Sequence, residues 1–169
     1  VGSEMCIRDR PYLLPVDITG KNIRLGISLS GLYKKLATYP VKGAYVFLDA
    51  CFSGGYKSAA PLLAQKGVRV VPKVGLPQGN TLSFSSSSGD QTSSVYHEKK
   101  QGYYTYFLIK TIRDAKGNLS MKELFERTSI AVKRATALID KIQEPQCMVS
   151  PTWVGWENIK LETPVTEIP

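Results

Sequence analysis

The side chains able to do chemistry are concentrated in one short segment, Val46-Phe47-Leu48-Asp49-Ala50-Cys51-Phe52-Ser53-Gly54-Gly55. A thiolate is a strong nucleophile once a base or a positive field lowers the thiol pKa. Asp49 stands two residues before Cys51. Gly54 and its neighbour let the chain turn sharply and bring backbone N–H groups close to a substrate carbonyl. A free cysteine is otherwise a small buried apolar residue. The apolar run before Cys51, the acid two positions upstream and the glycines after it favour the nucleophile. The plainer role for Asp49 is a strand-end cap that bonds local N–H groups.

Such a segment needs a frame. Ala44-Tyr45-Val46-Phe47-Leu48 is a continuous apolar run of strand length, the pattern of a strand buried on both faces of a parallel sheet. Reactive groups in open parallel sheets gather at the carboxyl ends of strands, which is where Cys51 falls. Upstream, Ser28 and Ser30 are candidate N-caps for a short helix with Leu32 and Leu36 on one side, ended before Pro40. Downstream, residues 58–65 suit a helix, and residues 68–71 and 81–85 suit strands. A Pro/Gly-rich exposed connection spans residues 72–79. A helix is expected to begin near Gly102, with Tyr104, Phe107, Leu108 and Ile112 at helical spacing. Ser120 and Glu123 form a capping box. Behind it, Leu124, Phe125, Thr128, Ala131, Val132, Ala135, Leu138, Ile139 and Ile142 make one apolar stripe. Strands alternating with helices point to an α/β layered domain.

The 169 residues suffice for one domain of ordinary size, and an apolar share of 43% argues against wholesale disorder. The net charge of +8 invites a nucleic-acid reading, but the basic residues do not cluster. Lys34-Lys35, Lys99-Lys100 and Lys133-Arg134 are scattered beside polar positions, as on solvated faces, so neither nucleic acid nor a membrane is an expected partner. No run of eighteen apolar residues is present to make a spanning helix. Cys6, Cys51 and Cys147 are too few and too scattered for a disulfide framework. With no secretory signal pattern, the expected location is cytoplasmic.

Asp49-Ala50-Cys51-Phe52-Ser53-Gly54 resembles the active-site segment of the caspase and metacaspase superfamily of cysteine peptidases, in its bacterial form. Residues 11–17 (PYLLPVD) resemble the stretch after that family's His-Gly motif, residues 85–91 (SSSSGDQ) its following strand and loop, and residues 102–108 (GYYTYFL) the helix beyond. The match is collinear from Pro11 to about Trp156. The resemblance implies a three-layer α/β/α sandwich with a mainly parallel sheet. It implies Cys51 as nucleophile, forming a thioester acyl-enzyme, with its own N–H in the oxyanion hole and Gly54 in the turn beside it. Asp49, Ser85 and Asp90 would bind substrate. Asp49 takes the position of the glutamine in the caspase Gln-Ala-Cys signature. A carboxylate there favours a cationic guest, so cleavage is expected after Arg or Lys of a peptide or protein, with bidentate pairing open to Arg.

The family's histidine lies about 50 residues before its cysteine, which here falls at or before residue 1. The only histidine, His97, sits in a polar stretch after Cys51 and matches no catalytic position. The first ten residues, VGSEMCIRDR, show no helical or strand period and resemble translated sequencing-adapter read-through. Residues 1–10 are therefore expected to be non-native, 11–157 a partial peptidase domain lacking its first strands, and 158–169 a linker or tail. On this reading the piece lacks its general base and is inactive. The parent chain is expected to carry the dyad, with further domains of that chain open as partners. The alternative is a non-catalytic caspase-like pseudoenzyme acting as a binding or scaffold domain.

Other motifs fail on their spacing. Gly54-Gly55-Tyr56-Lys57-Ser58 lacks the glycines of a phosphate loop. The calcium-loop-like segment starting at Asp114 has Lys116 at a ligand position and Phe125 where the closing glutamate belongs. No Cys/His spacing suits zinc. No cofactor or metal is expected, and only the resemblance leaves calcium dependence open. Lys57, Lys66, Arg69 and Lys73 make residues 56–79 a candidate for self-cleavage.

Overall fold

In the computed structural model, which describes residues 3–7, 10–14, 25–50, 75–88, 91 and 93–161, helices pack on both faces of a mixed sheet. In chain order come β1 (Ser3–Ile7), β2 (Arg10–Leu14), β3 (Ile27–Ser28), α1 (Leu29–Leu36), β4 (Ala44–Leu48) and β5 (Thr81–Ser85). They are followed by β6 (Val95–Tyr96), β7 (Gln101–Gly102), α2 (Tyr103–Asp114), α3 (Met121–Ala137) and β8 (Gln146–Val149).

β4 and β5 run parallel with Leu48 opposite Ser85, and β8 joins β5 antiparallel. Because side chains alternate along a strand, the parallel register sends Val46 and Leu48 to one face with Ser83. That face meets α1. Leu29 and Tyr33 are fully buried against Val46 and Leu48, and the Tyr33 hydroxyl donates to Ser83 Oγ at 2.8 Å. Leu82 and Phe84 point the other way, into a core with Tyr104 of α2 and Met121, Leu124 and Val132 of α3. Phe84 meets Phe47 edge-on at 5.4 Å and Phe125 at 5.2 Å. The layers are therefore α1, sheet, then α2 with α3: the α/β/α sandwich expected.

The caps were readable in advance. The Ser28 hydroxyl accepts the Gly31 N–H at 3.4 Å and opens α1. Ser120 and Glu123 form both bonds of the capping box, at 3.2 and 2.9 Å, and open α3. Each such cap contributes about 1 kcal/mol.

Four expectations are corrected. Among the described residues the sheet is mixed rather than mainly parallel, because β8, too short for its pattern to show, returns antiparallel to β5. β4 is not buried on both faces: Tyr45 and Phe47 are 38% and 39% exposed. β5 lies between two strands and two helical layers, so its five residues are all buried despite three hydroxyls. The α3 stripe stops early. The helix ends at Ala137, the chain reverses through Asp140 at φ 54°, and Leu138 and Ile142 are left 87% and 75% exposed. Finally, residues 3–7 form a strand where no period announces one, pairing antiparallel with β2 through backbone bonds. The expected helix at 58–65, the strand at 68–71 and the basic residues proposed for self-cleavage lie outside the described residues.

Candidate active site

The carboxyl ends of β4 and β5 lie side by side, and the Ser86 N–H continues their ladder by donating to Leu48 O at 2.8 Å. Asp49 and Ala50 leave β4 here, and the serine-rich loop leaves β5. The Ala50 carbonyl, which precedes Cys51, accepts the hydroxyls of Ser86 at 3.3 Å and Ser93 at 3.2 Å, and those hydroxyls are also bonded to each other.

Gln143, between α3 and β8, locks this loop from below. It is 1% exposed, donates Nε2 to the Ser86 carbonyl at 3.0 Å and accepts the Ser94 N–H at 2.9 Å. Gln91 is tied to the next residue, Glu144, through Nε2 at 3.2 Å and through the Glu144 N–H at 2.7 Å. Glu144 in turn pairs with Lys133 of α3 at 3.2 Å. A buried polar group left without a partner costs about 1–3 kcal/mol, so a loop bonded at this many points has little freedom to shift.

Asp49 points to the opposite face from Leu48, toward α2. The first N–H groups of a helix have no partner within it. Gly102, at the N-cap of α2, has no side chain to accept one. Asp49 does so from 56 residues away: Thr105 donates its backbone N–H at 3.1 Å and its hydroxyl at 2.5 Å, both to Oδ2. The partial positive charge of the α2 N-terminus favours a carboxylate at this point. A Cβ on Gly102 would collide with Oδ2 and stand 2.9 Å from Cγ, so only glycine leaves the carboxylate its place. Asp49 thus caps a distant helix rather than its own strand end, and its Oδ1 takes neither of Thr105's bonds.

Ser85, the last residue of β5, is 2% exposed and donates to the Ser87 carbonyl at 3.4 Å. By alternation it shares the α1 face with Ser83, so its side chain and that of Asp49 leave opposite faces of the sheet. Cys51, Gly54 and Asp90 lie outside the described residues. His97 is exposed, in a single 3-10 turn between β6 and β7. Four residues of the site were not singled out from sequence: Ser86, Ser93, Thr105 and Gln143. The serine run at a strand end and the threonine three residues after Gly102 were visible signals. Gln143 has none.

Two other groups have altered acidity. Burial, then the Asp49 charge, holds the Tyr104 hydroxyl well above the usual tyrosine range, and among the described residues that hydroxyl has no hydrogen-bond partner. Burial followed by the Glu157 charge pushes the Cys147 thiol up to about 11. At neutral pH Cys147 is therefore a protonated thiol, unsuited to attack. Among the described residues, no three His, Cys, Asp or Glu side chains are grouped to hold a metal, and no helix is long and apolar enough to cross a membrane.

A sequence model of the family described as "Caspase domain" matches residues 2–152. No curated protein matches the chain.

Proposed function

Since the chain belongs to the caspase-domain family of cysteine peptidases, we propose that it derives from an endopeptidase in which Cys51 is the nucleophile and Asp49 receives a basic residue. A base takes the thiol proton, the sulfur attacks the peptide carbonyl carbon, and as the C–N bond breaks the same group, now protonated, gives that proton to the leaving amine. Water then hydrolyses the thioester. The supporting observation is Asp49 itself: a carboxylate at the carboxyl end of β4, held by Thr105 through Oδ2 only.

No residue of this chain fits the base. His97 is the sole histidine and stands exposed on its own turn. The chain is accordingly proposed to recognise basic peptides while hydrolysing them very slowly. Chemical rescue tests this. Free imidazole should restore hydrolysis of amides ending in Arg or Lys, and Cys51→Ala should abolish it. Rescued hydrolysis that survives Cys51→Ala, or that favours Asp-ending amides, contradicts the proposal.

The cap that Asp49 gives α2 through Thr105, a structural role that needs no catalysis, favours a second reading, a scaffold domain. That reading predicts no imidazole-dependent hydrolysis and no selective attack by Cys51 on any substrate-like electrophile.

A further inference from the structure

The way Asp49 is held bears on which basic residue it accepts, given the proposed role of Asp49 in binding a cation. A carboxylate oxygen has two lone pairs in the plane of the group, and Thr105 fills both at Oδ2, one with its N–H and one with its hydroxyl. A guanidinium forms its strong fork only when both carboxylate oxygens are open to it. Here Oδ1 alone takes neither bond from Thr105. A Cβ at Gly102 would stand 3.0 Å from Oδ1, so glycine there leaves that oxygen room.

We propose that Thr105 is a specificity-setting positioning residue: by occupying Asp49 Oδ2 it reduces the pocket to a single-oxygen contact, which accepts lysine about as well as arginine. A lysine ammonium is a compact point charge and loses nothing at one oxygen, whereas arginine loses its second bond. This replaces the bidentate arginine pairing expected from sequence. The anchor also has a structural reason, because the same two bonds cap α2.

Peptidyl chloromethyl ketones test this without turnover. The sulfur displaces chloride, one S–C bond forming as the C–Cl bond breaks, and saturation separates binding (KI) from reaction (kinact). The probes end in Arg, Lys or uncharged norleucine, and adducts are mapped to Cys51. In the unmodified chain, Arg and Lys reagents should differ in KI by no more than about threefold, both ahead of norleucine. Thr105→Val removes the hydroxyl and opens one lone pair, and should raise the Arg-over-Lys preference by about tenfold, in KI. Thr105→Ser should restore the original ratio. A preference for Arg above about tenfold in the unmodified chain, or a ratio unmoved by Thr105→Val in a folded protein, overturns the inference while leaving Asp49 as the cation site. If Asp49→Asn leaves the advantage of both basic reagents over norleucine as large as in the unmodified chain, the cation site itself falls, and the inference with it.

Discussion

Gln143 and Ser86, 57 residues apart, are joined by a buried hydrogen bond of 3.0 Å from the glutamine amide to the serine backbone carbonyl. The other end of the same amide accepts the Ser94 N–H, so one side chain closes the loop that holds the Ala50 carbonyl. Replacing it removes the partner of two backbone groups at once. Gln143→Leu should therefore destabilise the fold by about 2–5 kcal/mol, read as a lower urea midpoint with unchanged slope. A loss below about 0.5 kcal/mol would mean that the loop is held by its other bonds.

Gly102 has an ordinary backbone conformation, with φ −68° and ψ 149°, so the need for glycine there is spatial. Gly102→Ala should push Asp49 off the α2 N-terminus, costing about 1 kcal/mol for the lost cap. It should weaken binding of Arg- and Lys-ending reagents together. Calorimetric melting and labelling kinetics check the two effects separately, and an alanine variant that behaves as the parent in both contradicts the geometry.

Two buried tyrosines should respond oppositely to the same change. Tyr33 donates to Ser83, so Tyr33→Phe leaves a buried serine hydroxyl short of a partner and should cost about 1–3 kcal/mol. Among the described residues the buried Tyr104 hydroxyl has no partner, so Tyr104→Phe removes an uncompensated group and should be neutral or stabilising by about 1 kcal/mol. Denaturant unfolding of the pair distinguishes them, and equal losses would contradict the contrast.

Cys147 makes the alkaline limit of stability predictable. Its thiol is pushed up from the usual 9.0 to about 11 in the folded chain, mainly by burial. The unfolded thiol loses its proton first, so the stabilisation is whole below the unfolded value and is lost as pH rises through the folded one. Stability should fall between those two values, and Cys147→Ala should flatten that part of the profile. A variant profile parallel to the parent's would assign the alkaline loss to other groups.

What was legible in the sequence was local. The Ser28 cap, the Ser120–Glu123 box and the strand ending at Ser85 are each written within a few residues, and each occurs as read. Burial was misread where it depends on neighbours. The apolar run of β4 is half-exposed while the serine-bearing β5 is covered, because position in the sheet decides it. The stripe after Ala137 failed for a related reason: apolar spacing continued past the turn at Asp140 that ends the helix. In the candidate site, Asp49 was singled out because it stands two residues before Cys51 in the sequence. Thr105 and Gln143 act across 56 and 57 residues, and nothing in Gln143-Glu144-Pro145 separates a loop-locking amide from an ordinary surface glutamine.

The central claim is that Cys51 is the reactive thiol beside a carboxylate that selects basic residues. It is tested most directly by treating the folded chain with Arg-ending and Asp-ending peptidyl chloromethyl ketones and mapping adducts on all three cysteines. The account predicts modification at Cys51, faster with the Arg reagent, with that advantage lost in Asp49→Asn and with Cys147 unlabelled at neutral pH. Equal rates for the two reagents at Cys51, or labelling spread over Cys6, Cys51 and Cys147 alike, would contradict it.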